Sequence, residues 1–232
     1  MFDAKDALKA KARAVRPRDA ATLILVRQSG ALPQVLMGRR PDTMKFMPGK
    51  FVFPGGRLDR ADHHVAPITP LRPEVQARAS IGTTPSRAAA LALAAIRETF
   101  EETGLVVGAQ GTMARPPRHK IWSAYAEAGA VPDLAGLTLI ARAVTPPYRD
   151  RRFDTRFFMG TDAMILTRIT ATHAGELLEP RWVTFAQART LDLPSITRIV
   201  IDEAERRLPD LTCDAPCPYF RFLRGRAHQT TI

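Results

Sequence analysis

Long apolar runs are missing from this chain of 232 residues. No stretch reaches the roughly 18 apolar residues that a membrane-spanning helix needs, so no membrane partner is expected. The first twenty residues are basic and alanine-rich but carry Asp3, Asp6 and Asp19. They lack an apolar core, so a solvated N-terminal helix is expected there and not a secretory signal. Cysteine is nearly absent: Cys213 and Cys217 stand alone. A zinc site takes four ligands, and of further candidates only His228 lies nearby. Free thiols in a reducing compartment are expected, and with them a cytoplasmic location. Repeats and low-complexity tracts are also lacking. Acidic residues are in short supply, with 34 Lys and Arg against 23 Asp and Glu, a formal net charge of +11. That excess favours anionic partners such as nucleotides, phosphorylated small molecules or RNA, without choosing among them.

What is present fits a globular fold. Apolar residues make up 45 % of the chain and charged residues 25 %, an ordinary balance for a protein with a buried core. Ala20–Arg27 is apolar and β-branched and reads as a buried strand. A turn at 29–33 and a second run, Gln34–Arg40, predict a hairpin. A short apolar run then stops at Pro54-Gly55-Gly56. Residues 57–83 are polar and proline-rich and read as a long loop with one short helix near Pro73–Ala79. A loop of that length inside a domain is usually functional. Thr84 and Pro85 then open a helix, as N-cap and first helical residue, and Gly104 closes it. Its buried side is predicted as Ala92, Ala95, Ile96, Thr99, Phe100 and Thr103. Beyond it come a shorter helix at 118–129, strands at 137–144 and 154–161, and a strand running into a helix near 180–191. An amphipathic helix at 194–208 should face the core with Ile196, Ile199, Val200, Ala204 and Leu208. Strands and helices mix without strict alternation, which predicts a mixed sheet between helices.

The long helix holds the strongest chemical signal. Glu98, Glu101 and Glu102 are spaced i, i+3, i+4 and share one face, where like charges repel. A divalent cation held by carboxylates would offset that repulsion; a solvated acidic face is the plain alternative. Upstream, Gly55 and Gly56 follow a strand-like run where backbone can approach a ligand closely.

Together, "FPGG" and "RETFEETGL" resemble the Nudix box, whose pattern is G, five residues, E, seven residues, then R-E-U-x-E-E-x-G-U with U aliphatic. Arg97, Glu98, Glu101, Glu102, Gly104 and Leu105 match, and Thr99 replaces an aliphatic residue. The resemblance implies an α/β fold, the Nudix-type α/β/α sandwich around a mixed β-sheet. It also implies hydrolysis of a diphosphate linked to a nucleoside, with Mg²⁺ or Mn²⁺ held by Glu98, Glu101, Glu102 and the Gly56 carbonyl. Arg97 lies 41 positions after Gly56 where the pattern has 14, an excess of 27. Counted back from Arg97, the first box glutamate falls on Ala89.

A box split in this way is similar to the branch that includes the peroxisomal coenzyme A diphosphatases, as are "KFMPGKFVFPGGRLD" and "RRFDTRFFM". A related coenzyme A signature is half matched: Leu36, Arg40, Gly49 and Phe53–Gly56 fit, and Gly38, Pro41 and Lys45 replace other residues. The chain ends in Thr-Thr-Ile, which is not a peroxisomal tripeptide.

The expected organisation is an N-terminal extension (1–19), a hydrolase domain (20–210) with an insertion at about 57–83, and a C-terminal tail (211–232). The expected substrate is a small-molecule diphosphate, coenzyme A or acyl-coenzyme A first. NADH, ADP-ribose, capped RNA and a non-catalytic nucleotide- or RNA-binding module are the alternatives. Arg39, Arg40, Lys45 and Arg57 are the candidate phosphate contacts, with Lys50 beside them, and Arg97 should orient the glutamates. Catalytic candidates are Glu98, Glu101, Glu102 and Glu176, the last as base from a later loop, with Glu179, His173 and Glu98 itself as alternatives. His63-His64 reads as a surface pair. A homodimer is what the resemblance implies.

Overall fold

A computed structural model describes residues 15–44, 47–169, 177–210, 215–223 and 225–232. The N-terminal helix expected before residue 15 and Cys213 lie outside these residues. Strand β1 (Arg18–Arg27) is the centre of the molecule. Ala21, Leu23 and Leu25 point to one face, and Ile24 and Val26 to the other, all fully buried. A strand buried on both faces needs a layer of structure on each side.

β9 (Phe153–Thr161) runs parallel along one edge of β1, from Arg18↔Phe153 to Val26↔Thr161. Two strands share the other edge: β2 (Gln34–Arg39) pairs at Val26, and β4 (Gly55–Arg57) pairs at Ala20–Thr22, both antiparallel. β8 (Thr138–Val144) and β11 (Leu178–Thr184) extend the sheet outward, and β3 (Phe51–Val52) adds to β2. The nine-stranded sheet is mixed, as expected. Two small pairs flank it: β5 (Leu105–Val107) with β10 (Ile165–Arg168), and β6 (Ala109–Gln110) with β7 (Ala130–Val131).

Helices α1 (Pro73–Ala79), α2 (Pro85–Thr103) and α3 (Lys120–Glu127) cover the Leu23 face. Helices α4 (Phe185–Thr190) and α5 (Ser195–Arg206) cover the Ile24 face. The result is the α/β/α sandwich. No described helix is long and apolar enough to cross a membrane.

Helix α2 begins and ends where its capping residues dictate. Thr84 Oγ1 accepts from Arg87 N at 3.2 Å, and Pro85 fills the first helical position. Gly104 takes a left-handed φ of 73° while its N–H donates to Phe100 O at 2.9 Å. Ala88, Ala90, Ala92, Ala94 and Ala95 are all buried, so the alanines let sheet and neighbouring helices approach α2 from several sides. Thr99 is buried and returns its hydroxyl to Ala95 O at 2.8 Å, which satisfies the polar atom where an aliphatic residue would have none.

Two expectations change. The buried stripe of α5 is Thr197, Val200, Ile201 and Ala204. Ile199 lies off that stripe and is 39 % exposed. Residues expected as a free C-terminal tail join the sheet instead: β12 (Pro218–Leu223) runs parallel to β8 and β13 (Arg226–Thr231) closes a hairpin. Cys217 is buried beside this hairpin, and burial pushes its thiol up to about 11, so it stays neutral.

Removing the α2 cap by Thr84→Ala should cost about 1 kcal/mol in a urea melt, with the native fold retained by circular dichroism.

Candidate active site

β4 and α2 meet at the ends that carry the glycines and the glutamates. A Cβ added to Gly56 would lie 2.3 Å from Glu98 Cδ and 2.4 and 2.5 Å from its carboxylate oxygens. The Glu98 carboxylate therefore rests directly on the bare α-carbon of Gly56. Gly55 is constrained from the other side, because a Cβ there would meet Ala21 O and Thr22 Oγ1 at 2.6 Å. Gly55 N donates to Glu102 Oε2 at 3.0 Å. The strand end is thus tied to α2 through two of its glutamates.

Arg97 is buried at the middle of this arrangement, with 4 % exposure. Its Nε and Nη2 donate to the two oxygens of Asp62 at 2.8 and 3.1 Å. Nη1 donates to Glu98 Oε1 at 2.8 Å and lies 3.6 Å from Glu101 Oε2. Nη2 also donates to Arg57 O at 2.8 Å. Burial by itself lowers the guanidinium pKa, but Asp62 and then Glu98 outweigh it and raise it above the ordinary arginine value. Arg97 is a permanent buried cation.

Asp62 is fully buried and accepts four hydrogen bonds, from Arg97 twice, Trp122 Nε1 at 2.9 Å and Asp59 N at 2.8 Å. This corrects the position of the first box acid. Counted forward from Gly56, the pattern's acid falls on position 62, and the chain has Asp there. Counting back from Arg97 reached Ala89 because the extra residues come between Asp62 and α2. The forward count was the available signal for Asp62. Nothing local marked Trp122, which meets Asp62 across 60 positions.

Asp62, Glu98 and Glu101 surround the guanidinium of Arg97, and Glu102 accepts the N–H of Gly55. Side-chain exposure rises from 0 % at Asp62 through 17 % at Glu98 to 36 % at Glu101. Glu101 therefore faces solvent and the deepest acid faces the arginine. Glu98 and Glu102 are turned toward Arg97 and Gly55 N. Among the described residues, no three Asp, Glu, His or Cys side chains converge as a ready metal-holding group.

The basic candidates separate. Arg39 Nη2 donates to both oxygens of Asp42 at 2.7 and 2.8 Å. Lys50 pairs with Asp192. Arg40 is half-buried, and its N–H donates to Lys50 O. Arg57 has an exposed side chain while its carbonyl serves Arg97. Lys45, His173 and Glu176 lie outside the described residues. Glu179 is exposed and has a left-handed φ of 49° immediately before Pro180. His63 and His64 are exposed, as expected.

The fold and site together define an α/β/α sandwich organised around an acidic helix that packs on a double-glycine strand end. No protein-family model matches the chain. Among solved structures, the chain is similar to a Nudix hydrolase from Alicyclobacillus acidocaldarius, with 30 % identity, a TM-score of 0.64, and coverage of 82 % of this chain and 92 % of that one. The chain belongs to the Nudix hydrolases. It also matches the Nudix domain of Shewanella oneidensis NrtR, solved with ADP ribose, at 13 % identity and a TM-score of 0.48, over 90 % of this chain and 99 % of that one. The MutT protein of Methanosarcina mazei Go1 matches at 15 % identity and a TM-score of 0.46, over 84 % and 98 %.

Two outcomes are expected from substitution here. Gly56→Ala forces the Glu98 carboxylate away and should lower kcat/KM for any diphosphate substrate by about 100-fold, with a melting temperature close to that of wild type. Asp62→Ala leaves a buried guanidinium without its main counter-ion and should cost about 3–5 kcal/mol in a denaturant titration.

Proposed function

We propose that this Nudix hydrolase cleaves the diphosphate linkage of a nucleoside-diphosphate derivative, with coenzyme A or acyl-coenzyme A as the first substrate to examine. The observation that carries the reading is the Glu98 carboxylate set against Gly56 and fixed there by Arg97.

A divalent cation suits this site by donor type. Glu98, Glu101, Glu102 and the Gly56 carbonyl offer only oxygen, the donor that Mg²⁺ and Mn²⁺ prefer. We assign those three glutamates and Gly56 as the residues that would hold such an ion. When bound, it would supply charge neutralisation at the diphosphate oxygens and a more acidic water.

The chain's own groups do the rest. Arg97 donates to Glu98 Oε1 and so holds the carboxylate at the strand end. Glu102 accepts from Gly55 N and holds β4 in place. Glu176 is the proposed base, taking the proton of the attacking water, with Glu98 as the alternative. Of the basic residues, Arg57 is the nearest in sequence to the glycines and has an exposed side chain. With Arg40 and Lys45 it is proposed to meet substrate phosphates. Arg39 has its Nη2 engaged by Asp42.

The test is a product assay on pure protein with Mg²⁺ or Mn²⁺, across free and acylated coenzyme A, NADH, ADP-ribose and capped RNA. Cleavage of at least one diphosphate that stops with excess chelator is expected. Glu176→Gln should lower kcat by about 10²–10⁴-fold. Turnover left unchanged by both Glu101→Gln and Glu102→Gln would remove the hydrolase assignment of these residues.

A further inference from the structure

Trp122 is fully buried on α3, and a buried indole must place its N–H on an acceptor. That acceptor is Asp62 Oδ1, at 2.9 Å. The same oxygen receives Arg97 Nε, while Asp62 Oδ2 receives Arg97 Nη2 and Asp59 N. The direction of the indole N–H is itself fixed. The Trp122 ring stands edge-on to Tyr125 at 5.3 Å, and Tyr125 stands edge-on to Phe100 at 5.3 Å. Tyr125 is locked in turn by its hydroxyl, which donates to Val107 O at 2.6 Å. Phe100 lies one turn beyond Arg97 on α2. A closed circuit therefore runs from α2 through two rings of α3 to Asp62, and back through Arg97 to α2.

We propose that Trp122 is a positioning residue of the active site: its indole N–H sets the plane of the Asp62 carboxylate, which sets the Arg97 fork and with it the Glu98 carboxylate against Gly56. An aspartate carboxylate turns easily about its last torsion. With only the arginine and one backbone N–H to restrain it, that plane is free to follow Arg97. The indole donor comes from a different helix and gives an external reference. Bonds to ionised acceptors are the strong ones in proteins, and each link in the chain Trp122–Asp62–Arg97–Glu98 has an ionised acceptor at 2.8–2.9 Å. Errors in placing catalytic groups of well under a hydrogen-bond length are costly to rate, so a donor three links away can matter. The consequence for turnover rests on the proposed hydrolase activity; the consequence for Arg97 does not.

The test uses two replacements of Trp122 in the full chain. Trp122→Phe removes the N–H and some volume. Site-specific replacement by 3-benzothienylalanine removes the N–H but keeps the shape, and so covers the case in which Trp122→Phe does not fold. The first readout is hydrogen exchange of the Arg97 Nε–H by NMR, expected to quicken about tenfold in both variants. The second is kinetics on the substrate identified above, where kcat should fall about tenfold with KM within about twofold, the pattern for lost transition-state positioning. In an Asp62→Asn background the isostere should add no further loss, since both changes act on one link. A sulfur isostere that exchanges and turns over like wild type would overturn the proposal. So would losses that add fully to those of Asp62→Asn. A wild-type protein inactive on every diphosphate would defeat the hydrolase reading, and the exchange measurement would still decide the role of Trp122.

Discussion

The buried ion pair between Asp62 and Arg97 is the contact on which the rest of the site depends. Taking both charges out of water costs several kcal/mol per ion, and the pair is tolerable only because both partners are fully engaged. Asp62 accepts from Arg97, Trp122 and Asp59. Arg97 also serves Glu98 and Arg57 O. These bonds join the end of β4, the turn after it, the acidic helix α2 and the neighbouring helix α3. None of these elements can shift alone without stranding a charge, and Glu98 inherits that rigidity at the solvent edge.

The same pair explains how the chain accommodates its extra length. The turn bearing Asp62 completes its contact with α2 before the additional residues begin. The added segment can then loop out without disturbing the site, because the entropic cost of a longer loop grows only with the logarithm of its length. That segment is tied down elsewhere. Arg156 Nε donates to Ala79 O and Arg142 Nη1 to Ile81 O, so two arginines of the sheet hold the end of α1 and its turn. Asp154 grips Arg142 through two oxygens, and the ring of Tyr219 lies beneath its guanidinium at 4.6 Å. Burial lowers the pKa of Arg142, but Asp154 outweighs it and keeps it raised, whereas for Arg156 burial and then Arg142 prevail. The C-terminal hairpin thereby braces the same corner.

Much of this was legible in local patterns. The hairpin of β1 and β2, the caps and span of α2, the short α1 inside the polar stretch and the strands β8 and β9 lie where periodicity and turn residues put them. Each is decided by neighbours within one or two turns of chain. The C-terminal hairpin was not legible, since β13 is polar and exposed along its whole length and shows no alternation to read. The core stripe of α5 was misjudged at Ile199 because apolar character alone does not say which side of a helix meets the sheet.

By itself, the sequence determined the family resemblance, the acidic face of α2 and the need for glycine before it, because these depend on fixed spacings along a regular helix and on a residue that lacks a Cβ. Only the tertiary structure decided which acid partners Arg97. Spacing counted back along the chain pointed to Ala89, whereas distance in space gives Asp62, which lies 2.8 Å from Arg97 Nε although the two stand 35 positions apart. It likewise brought Trp122 onto that acid and packed Gly56 beneath Glu98. Contacts between distant segments carry no local periodicity, so they become visible only when the layers are assembled.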